Sequence, residues 1–311
     1  GVKNRVDYFA ISFVQNAKDM RRARELLGDY KGKLIAKIEK FDAVSNIDEI
    51  IETSDGIMVA RGDLGIEVPY YDVPTIQKML IKKSNAKGIP VITATQMLLS
   101  MTQNERATRA EISDVANAVL DGTDIVMLSE ESAVGENPVN VVETMHNIIK
   151  QTEKIFDHEK RYKFTYLDEF DVIQATVTKL ADDLSADGIL SLTSSGNSAR
   201  KMSRYRPITP LYTFAHDKET LTGLTALWGV EPITTVKEAQ ASKMIQRMLR
   251  SLEKREILNK KGLYICTVGY PVGIPGSTNT IKILTPSEIE FYLNFKENRE
   301  KIKTEKKVNL A

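Results

Sequence analysis

The sequence has few of the residues that build disulfides and zinc sites. Its 311 residues include one cysteine, Cys266, and three histidines, so no disulfide can form within the chain and a zinc site is disfavoured. The segment around Cys266 is apolar, which predicts a packed thiol and not a nucleophile. A reducing compartment fits this cysteine usage.

Long apolar runs and an excess of charge are absent as well. No run approaches the ~18 residues that cross a bilayer, and the first residues lack the apolar stretch of a signal peptide. The 43 lysines and arginines nearly balance the 42 aspartates and glutamates, so nothing indicates a nucleic-acid partner. We therefore predict a cytoplasmic protein with neither a membrane nor a nucleic-acid partner.

Short apolar runs alternate with helical patterns in the first half of the chain. This alternation predicts a parallel sheet, and the nearly continuous apolar runs are typical of strands covered on both faces. Thr108 and Glu111 form a capping-box pattern at the start of one helix. Five βα units are fewer than the eight of a closed (β/α)8 barrel, so either further strands precede them or the sheet is open. The predicted strands are 8–14, 34–39, 56–60, 90–95 and 124–129.

A second α/β block follows a long helical stretch over 139–156 and a polar linker over 157–163. Its pattern predicts a doubly wound domain. We divide the chain into residues 1–156, residues 157–286 and a C-terminal helix and tail over 287–311. The predicted strands of the second block are 188–193, 210–214, 231–235, 262–269 and 279–285, and its predicted helices are 170–186, 197–205, 218–227 and 237–256.

Polar residues that can carry chemistry stand at three predicted strand ends. Side chains alternate along a strand, so Lys37 and Glu39 share one face, opposite the apolar face that meets helices. Asp63 follows the next strand beside Gly62, and Thr95 ends the strand after that. Two carboxylates at neighbouring strand ends suit Mg²⁺ or Mn²⁺. The alternatives are a structural ion pair for Lys37 and Glu39, a turn-forming role for Asp63 and a β-forming role for Thr95.

A hydroxyl-rich turn in the second block is a candidate anion site. It lies between a predicted strand and a helix start, where backbone N–H groups bind anions. The alternative is ordinary helix capping by Ser195 or Asn197. The candidate effector-binding residues are Thr193, Ser194, Ser195, Gly196, Asn197 and Ser198.

Three motifs give the chain its resemblance to a known family. They are Arg61-Gly-Asp-Leu-Gly65, Thr93-Ala-Thr-Gln-Met97 and Thr108-Arg-Ala-Glu111. Together they resemble the pyruvate kinase family. The resemblance implies that the chain carries strands four to eight of a (β/α)8 barrel and then the C-terminal α/β domain, with the first barrel strands and an inserted lid domain absent.

The resemblance also implies a reaction and a set of roles. The reaction is phosphoryl transfer from phosphoenolpyruvate to ADP, giving pyruvate and ATP, with Mg²⁺ or Mn²⁺ and with K⁺. Lys37 would assist phosphoryl transfer, Glu39 and Asp63 would hold the divalent cation, and Gly62, Asp63 and Thr95 would bind the substrate carboxylate. Turn 193–198 would hold a phosphorylated activator, a loop over 269–279 would close on it, and the protein would be a homotetramer.

The chain departs from the common family pattern at two places. Lys40 stands where many members have Asn, and Ser129-Glu-Glu-Ser-Ala133 stands where many have Ser-Gly-Glu-Thr-Ala. Two other functions remain open from the sequence. One is a different metal-dependent barrel enzyme acting on 2-oxo acids or phosphoenolpyruvate, and the other is a non-catalytic chain for effector binding or assembly.

Overall fold

The computed structural model describes residues 1–158, 163–238, 240–269 and 278–295. Contacts divide them into two compact units: the first holds the described residues up to 164 together with 226–228, and the second holds the remainder. Most of the predicted linker over 157–163, most of the predicted loop over 269–279 and the end of the predicted C-terminal tail lie outside the described residues.

The first unit is built on a five-stranded parallel sheet whose strands lie side by side in chain order. This sequential parallel order, with helices between the strands, is the pattern of a (β/α)8 barrel. The predicted partial barrel of about five βα units is confirmed. The strands are β1 (Tyr8–Ile11), β2 (Lys33–Ile38), β3 (Gly56–Ala60), β4 (Val91–Ala94) and β5 (Ile125–Met127).

Helices follow each strand of this sheet. Two strands end earlier than predicted because a residue takes a left-handed backbone conformation: Phe13 has φ of 58° and Thr95 has φ of 69°. Such residues leave the extended region and end the pairing. The helices are α1 (Ala17–Leu27), α2 (Phe41–Ser45), α3 (Ile47–Thr53), α4 (Arg61–Glu67), α5 (Val73–Lys87), α6 (Arg109–Asp121), α7 (Glu130–Ala133) and α8 (Pro138–Thr152).

The two faces of this sheet have different surroundings. Leu34, Ala36 and Ile38 of β2 are fully buried and share one apolar cluster with residues of α1, α3 and α5. Ile35 lies on the opposite face, in a second cluster with residues of β3 and β4. Lys37 alternates with Ala36 and Ile38, so it belongs to the same face as Ile35, as the alternation predicts.

The second unit contains a five-stranded sheet in the order β10-β9-β6-β7-β8. The strands pair in parallel except β10, which runs antiparallel to β9 at the edge. Burial of Cys266 on β9 raises the pKa of its thiol to about 12, so the thiol stays protonated and packed. The strands are β6 (Gly188–Thr193), β7 (Leu211–Ala215), β8 (Val230–Thr235), β9 (Tyr264–Gly269) and β10 (Thr278–Leu284).

Helices cover both faces of the second sheet, which confirms the doubly wound prediction. Helices α9 and α10 pack on Ile189, Leu211 and Ile265, whereas α12 and α13 pack on the opposite face. The helix predicted over 218–227 ends at Thr222, because Gly223 follows. The helices are α9 (Glu169–Asp183), α10 (Asn197–Arg204), α11 (Lys218–Thr222), α12 (Ala241–Lys254) and α13 (Pro286–Leu293). None of the described helices is long and apolar enough to span a bilayer.

The capping box of α6 does more than start the helix. Thr108 Oγ1 accepts from the Glu111 backbone N–H at 3.2 Å, and Glu111 Oε2 accepts from the Thr108 backbone N–H at 2.8 Å. Glu111 also accepts from the Ser100 backbone N–H at 2.7 Å and from its hydroxyl at 2.5 Å. Partial burial would raise the pKa of Glu111, but the bonds from Ser100 and Thr108 outweigh it and lower that pKa.

We expect Glu111→Gln to lower the free energy of unfolding by about 1 kcal/mol at pH 7, because the carboxylate accepts several hydrogen bonds. The pKa of Glu111 is lower in the folded state than in the unfolded state. The carboxylate therefore contributes fully to the free energy of unfolding above its unfolded-state pKa of about 4.3, and this contribution is lost as the pH falls through the folded-state pKa. Urea unfolding of wild type and variant over this pH range tests it. Glu143→Gln, at an exposed position of α8, is the control, and a difference that does not change with pH contradicts the assignment.

Candidate active site and effector turn

The end of β2 carries a buried ion pair. Lys37 Nζ lies 2.5 Å from Glu39 Oε1, and the exposed fraction of the Glu39 side chain is 1%. Lys37 Nζ also donates to Ser12 Oγ at 3.1 Å, and a quarter of its side chain is exposed. A buried carboxylate requires such partners because desolvation disfavours its charge. The ammonium therefore neutralises Glu39 and still reaches the surface.

The loop after β1 supplies the second partner of Glu39. The Phe13 backbone N–H donates to Glu39 Oε2 at 2.8 Å, and its φ of 58° turns the chain toward the end of β2. Each carboxylate oxygen thus accepts one hydrogen bond and retains acceptor capacity. Ser12 and Phe13 were not among the predicted site residues, because only the parallel pairing of β1 with β2 brings them there.

Asp63 lies at the end of the neighbouring strand. It is in the first turn of α4, directly after β3, and its side chain is exposed. Within the described residues its carboxylate makes no hydrogen bond or ion pair. Both Glu39 and Asp63 act electrostatically on Lys40. Because β2 and β3 pair in parallel, Glu39 and Asp63 lie at the same edge of the sheet, one held by protein groups and one open.

The predicted substrate-binding residues Gly62 and Thr95 contact each other. The Gly62 backbone N–H donates to Thr95 Oγ1 at 2.9 Å, and the Thr95 hydroxyl donates to the Ala94 carbonyl at 2.7 Å. Thr95 and Gln96 both have left-handed backbone conformations, with φ of 69° and 52°. Such conformations are uncommon for residues other than glycine and require support from the surrounding structure.

Arg61 provides that support, although it was not among the predicted site residues. It is 9% exposed, and its guanidinium donates to the Thr95 carbonyl at 2.6 Å and to the Gln96 carbonyl at 3.0 Å. Its other amino group lies 2.5 Å from Asp114 on α6. The signals in the sequence were its place at the start of the Arg61–Gly65 motif and directly after an apolar strand, but the sequence does not identify the partners that a buried cation needs.

Glu131 is a second missed residue of this edge. It is 1% exposed, and its two oxygens accept from the backbone N–H groups of Leu98 at 3.1 Å and of Ser129 at 2.8 Å. The loops that follow β4 and β5 are therefore tied together by one buried carboxylate. Glu131 lies in the Ser129–Ala133 segment, where the chain departs from the common family pattern, and that departure is the sequence signal that could have pointed to this residue.

The donor set suits a hard divalent cation. Carboxylate oxygens are preferred by Mg²⁺, which keeps several waters and uses one or two protein carboxylates. Throughout the described ranges, no group of three or more His, Cys, Asp or Glu side chains could hold a metal ion. Glu39 and Asp63 fit an ion that takes its remaining ligands from water and from substrate oxygens, and they do not fit zinc.

The candidate effector turn joins β6 to α10. Gly196 is the N-cap of α10, with φ of 83° and no side-chain capping bond. A Cβ at this position would be strained and would lie 3.0 Å from a Leu224 methyl group. Thr193 Oγ1 accepts from the Gly196 backbone N–H at 2.9 Å, so the nearly buried Thr193 holds the turn in shape. Ser195 and Asn197 are exposed, and neither caps the helix.

The basic residues after the turn are largely engaged within the second unit. Lys201 lies 2.5 Å from Asp168 and is 7% exposed. Partial burial by itself would raise the pKa of Asp168, but the hydrogen bond and charge of Lys201, with backbone hydrogen bonds, lower that pKa. Arg204 and Asp171 form a fully buried ion pair. These cations therefore join α10 to the start of α9, and Arg200 is the basic residue with partial exposure on this helix.

Two known protein families match this sequence, one in each unit. The family described as "Pyruvate kinase, barrel domain" matches residues 1–142, and that described as "Pyruvate kinase, alpha/beta domain" matches residues 171–284. The chain belongs to the pyruvate kinase family. A pyruvate kinase from Geobacillus stearothermophilus is 42% identical over 296 residues, covering 93% of this chain and 50% of that protein.

Two other pyruvate kinases show a similar identity. The protein from Lactobacillus delbrueckii subsp. bulgaricus is 41% identical over 91% of this chain and 50% of its own length. The protein from Clostridium acetobutylicum is 41% identical over 91% of this chain and 61% of its own length. The chain thus spans about half the length of most of these curated relatives.

We expect Arg61→Met to lower the free energy of unfolding by about 3 kcal/mol, because it removes a buried cation that satisfies several carbonyls. Asp114→Asn is the matched variant, since it removes the opposite charge but leaves the bonds to Thr95 and Gln96. We expect it to cost about 1 kcal/mol. Urea unfolding measures both, and equal losses would show that the carbonyl bonds contribute nothing.

Proposed function

We propose that this member of the pyruvate kinase family catalyses phosphoryl transfer from phosphoenolpyruvate to ADP, giving pyruvate and ATP. The observation that carries the proposal is the arrangement at the ends of β2, β3 and β4. There the Lys37–Glu39 pair, the open carboxylate of Asp63 and the bonded residues Gly62 and Thr95 belong to adjacent strand ends. Active sites of (β/α)8 barrels lie at this edge.

In this proposal Glu39 and Asp63 hold Mg²⁺ or Mn²⁺, and K⁺ is a second required cation by family resemblance. The bound divalent ion would neutralise charge on phosphoryl and enolate oxygens. Glu39 presents oxygens that retain acceptor capacity after their bonds to Lys37 and Phe13, and Asp63 presents an uncommitted carboxylate. The protein thus supplies one fixed and one adaptable ligand.

Lys37 is proposed to stabilise the transferring phosphoryl group. Its ammonium is oriented by Glu39 and Ser12, which leaves a further N–H donor for a phosphoryl oxygen. Because both partners come from the protein, the ammonium is positioned before substrate arrives. Preorganised charge of this kind is what lowers the barrier of phosphoryl transfer.

The substrate carboxylate is proposed to bind the backbone N–H groups of Gly62 and Asp63 and the hydroxyl of Thr95. In the described structure the Gly62 N–H is bonded to Thr95 Oγ1. A substrate carboxylate oxygen can accept hydrogen bonds from the Gly62 N–H and from the Thr95 hydroxyl, if that hydroxyl rotates away from the Ala94 carbonyl. The Gly62–Thr95 contact would then stand in for the substrate while the site is empty.

Regulation and assembly complete the proposal. Residues 193–198 would bind the phosphate of a phosphorylated activator through N–H groups at the start of α10 and the hydroxyls of Thr193, Ser195 and Ser198, with Ser194, Gly196 and Asn197 shaping the turn. We propose residues 1–156 as the catalytic part, 157–286 as the allosteric part and 287–311 as a terminal helix and tail. A cytoplasmic homotetramer is proposed by family resemblance.

Lys37→Met is expected to reduce ATP formation from phosphoenolpyruvate and ADP at least about 100-fold, because it removes charge stabilisation of the transferring group. Mn²⁺ binding, measured by water-proton relaxation, is expected to remain. Lys83→Met is the control, since Lys83 of α5 pairs with Asp48 of α3 through exposed side chains. A loss below tenfold would reduce Lys37 to a structural ion pair, and a wild-type chain that forms no ATP would contradict the catalytic proposal for this chain.

The effector turn is tested by thermal-shift measurements with fructose 1,6-bisphosphate, glucose 6-phosphate, ribose 5-phosphate and AMP. A ligand at 100 times its dissociation constant is expected to stabilise the folded state by about 2.7 kcal/mol. Ser195→Asp should remove the shift, because it places a negative charge where the phosphate would sit. Ser287→Asp is the control, since it adds the same charge in the first turn of α13, where acids are tolerated. If none of the four compounds shifts the melt, the turn serves only to start α10.

A further inference from the structure

Arg61 is a buried arginine to which the proposed reaction assigns no role. Its guanidinium donates to the Thr95 carbonyl from two nitrogens, Nε at 3.2 Å and Nη2 at 2.6 Å, and Nη2 also donates to the Gln96 carbonyl at 3.0 Å. The next residue, Gly62, donates its backbone N–H to Thr95 Oγ1 at 2.9 Å. Residues 61 and 62 therefore hold Thr95 both at its carbonyl and at the hydroxyl that is proposed to bind substrate.

Thr95 and Gln96 are held in a backbone conformation that each would leave if it were unsupported. Both are left-handed, with φ of 69° and 52°. For a β-branched residue such as threonine this conformation is an outlier, and it persists only where surrounding contacts determine it. The Gln96 side chain is exposed, so packing of that side chain contributes little. The bonds from Arg61 to the two carbonyls therefore compensate the unfavourable backbone.

We propose that Arg61 is a positioning residue that sets the affinity of the site for the substrate carboxylate. It does so by keeping Thr95 in the conformation that presents its hydroxyl beside the Gly62 N–H. The inference rests on the proposed function, because it takes Gly62 and Thr95 as ligands of the carboxylate. Arg61 acts through Thr95 and is not itself a ligand of the substrate.

The physical argument is the population of the binding-competent loop. Without the guanidinium, Thr95 and Gln96 can return to ordinary backbone conformations, and rotation about φ of Thr95 moves its side chain relative to the Gly62 N–H. The apparent affinity for the carboxylate then falls in proportion to the fraction of molecules that keep the competent arrangement. Lysine does not replace arginine here, because an ammonium is a point charge and lacks the planar fork that spans two carbonyls.

A purely structural role for Arg61 makes a different prediction. Such a role would lower the free energy of unfolding but would leave the affinity for substrate unchanged in the folded protein. Arg24 offers a matched control, because its guanidinium donates to the Gly32 carbonyl at 2.6 Å and pairs with Asp55. Gly32 and Asp55 directly precede β2 and β3, so this arginine holds a backbone carbonyl at the opposite edge of the same sheet.

The experiment is calorimetric titration of the 311-residue chain with phosphoenolpyruvate at saturating Mg²⁺, without ADP. Arg61→Lys keeps the positive charge beside Asp114 and is expected to weaken phosphoenolpyruvate binding about tenfold, as the cost of an unsupported left-handed backbone implies. Arg24→Lys should bind phosphoenolpyruvate as wild type does. Mn²⁺ binding without substrate, followed by water-proton relaxation, should be unchanged in both variants.

Two further variants test whether Arg61 acts through the loop. In a Thr95→Ala background, which itself should weaken phosphoenolpyruvate binding, Arg61→Lys should cost little more, because the hydroxyl that it positions is gone. Gln96→Gly should restore part of the affinity that Arg61→Lys loses, since glycine adopts a positive φ without strain. Neither a general loss of stability nor a loss of charge would be corrected by a glycine at position 96.

The outcomes separate this inference from the proposed function. If Thr95→Ala weakens binding but folded Arg61→Lys binds as wild type, adds its full loss to that of Thr95→Ala, or gains nothing from Gln96→Gly, the role of Arg61 is wrong and the carboxylate site stands. If wild type does not bind phosphoenolpyruvate, or Thr95→Ala leaves binding unchanged, both fall. Urea unfolding checks that each variant is folded. If Arg61→Lys alone is not folded, equal affinities of Gln96→Gly and Arg61→Lys/Gln96→Gly contradict the inference.

Discussion

The candidate active site is organised by the need to compensate one buried carboxylate, Glu39. A carboxylate at 1% exposure is unfavourable unless charge and hydrogen bonds replace its water. Lys37 supplies the charge and the Phe13 backbone N–H supplies a hydrogen bond. These two contacts fix the loop after β1 over the end of β2 and orient the Lys37 ammonium. The groups proposed to act on substrate are therefore positioned by the same interactions that make burial of Glu39 tolerable.

Other buried charges hold the rest of this edge in uncommon conformations. Arg61 bonds the carbonyls of Thr95 and Gln96, both of which are left-handed, and Glu131 bonds the amides of two loops. Strained backbone of this kind persists only where surrounding contacts determine it. The exposed Asp63 contrasts with them, since it is uncommitted in the described residues. A rigid frame around one free carboxylate is the arrangement that a site needs in order to accept an ion from solvent.

The second unit uses a buried ion pair in the same way. Arg204 and Asp171 are both almost completely buried, and the Tyr205 hydroxyl donates to Asp171 at 2.9 Å. Burial, followed by the Asp171 hydrogen bond, raises the pKa of Tyr205 above its usual value, so the tyrosine stays a donor. The network fixes the end of α10, and the candidate effector turn leads into the start of the same helix. Binding at that turn would therefore act on a helix that is firmly attached to α9.

The sequence determined the fold class and the positions of most strands, because apolar periodicity and the turn residues act locally. It also placed Lys37 and Glu39 on one face, since strand alternation needs no tertiary information. Motif resemblance identified the family and the candidate residues Gly62, Asp63 and Thr95. Local pattern was also sufficient for the Thr108–Glu111 capping box.

Only the tertiary structure decided which groups satisfy the buried charges. The partners of Arg61 lie 34 and 35 residues away at Thr95 and Gln96, and that of Glu39 lies 26 residues away at Phe13. No local pattern encodes such pairings, because parallel strands bring together residues that are distant in the chain. The structure likewise joined Lys40 to Glu67, 27 residues apart. Sequence thus specified the chemical groups, and packing of the sheet and its helices specified their electrostatic surroundings.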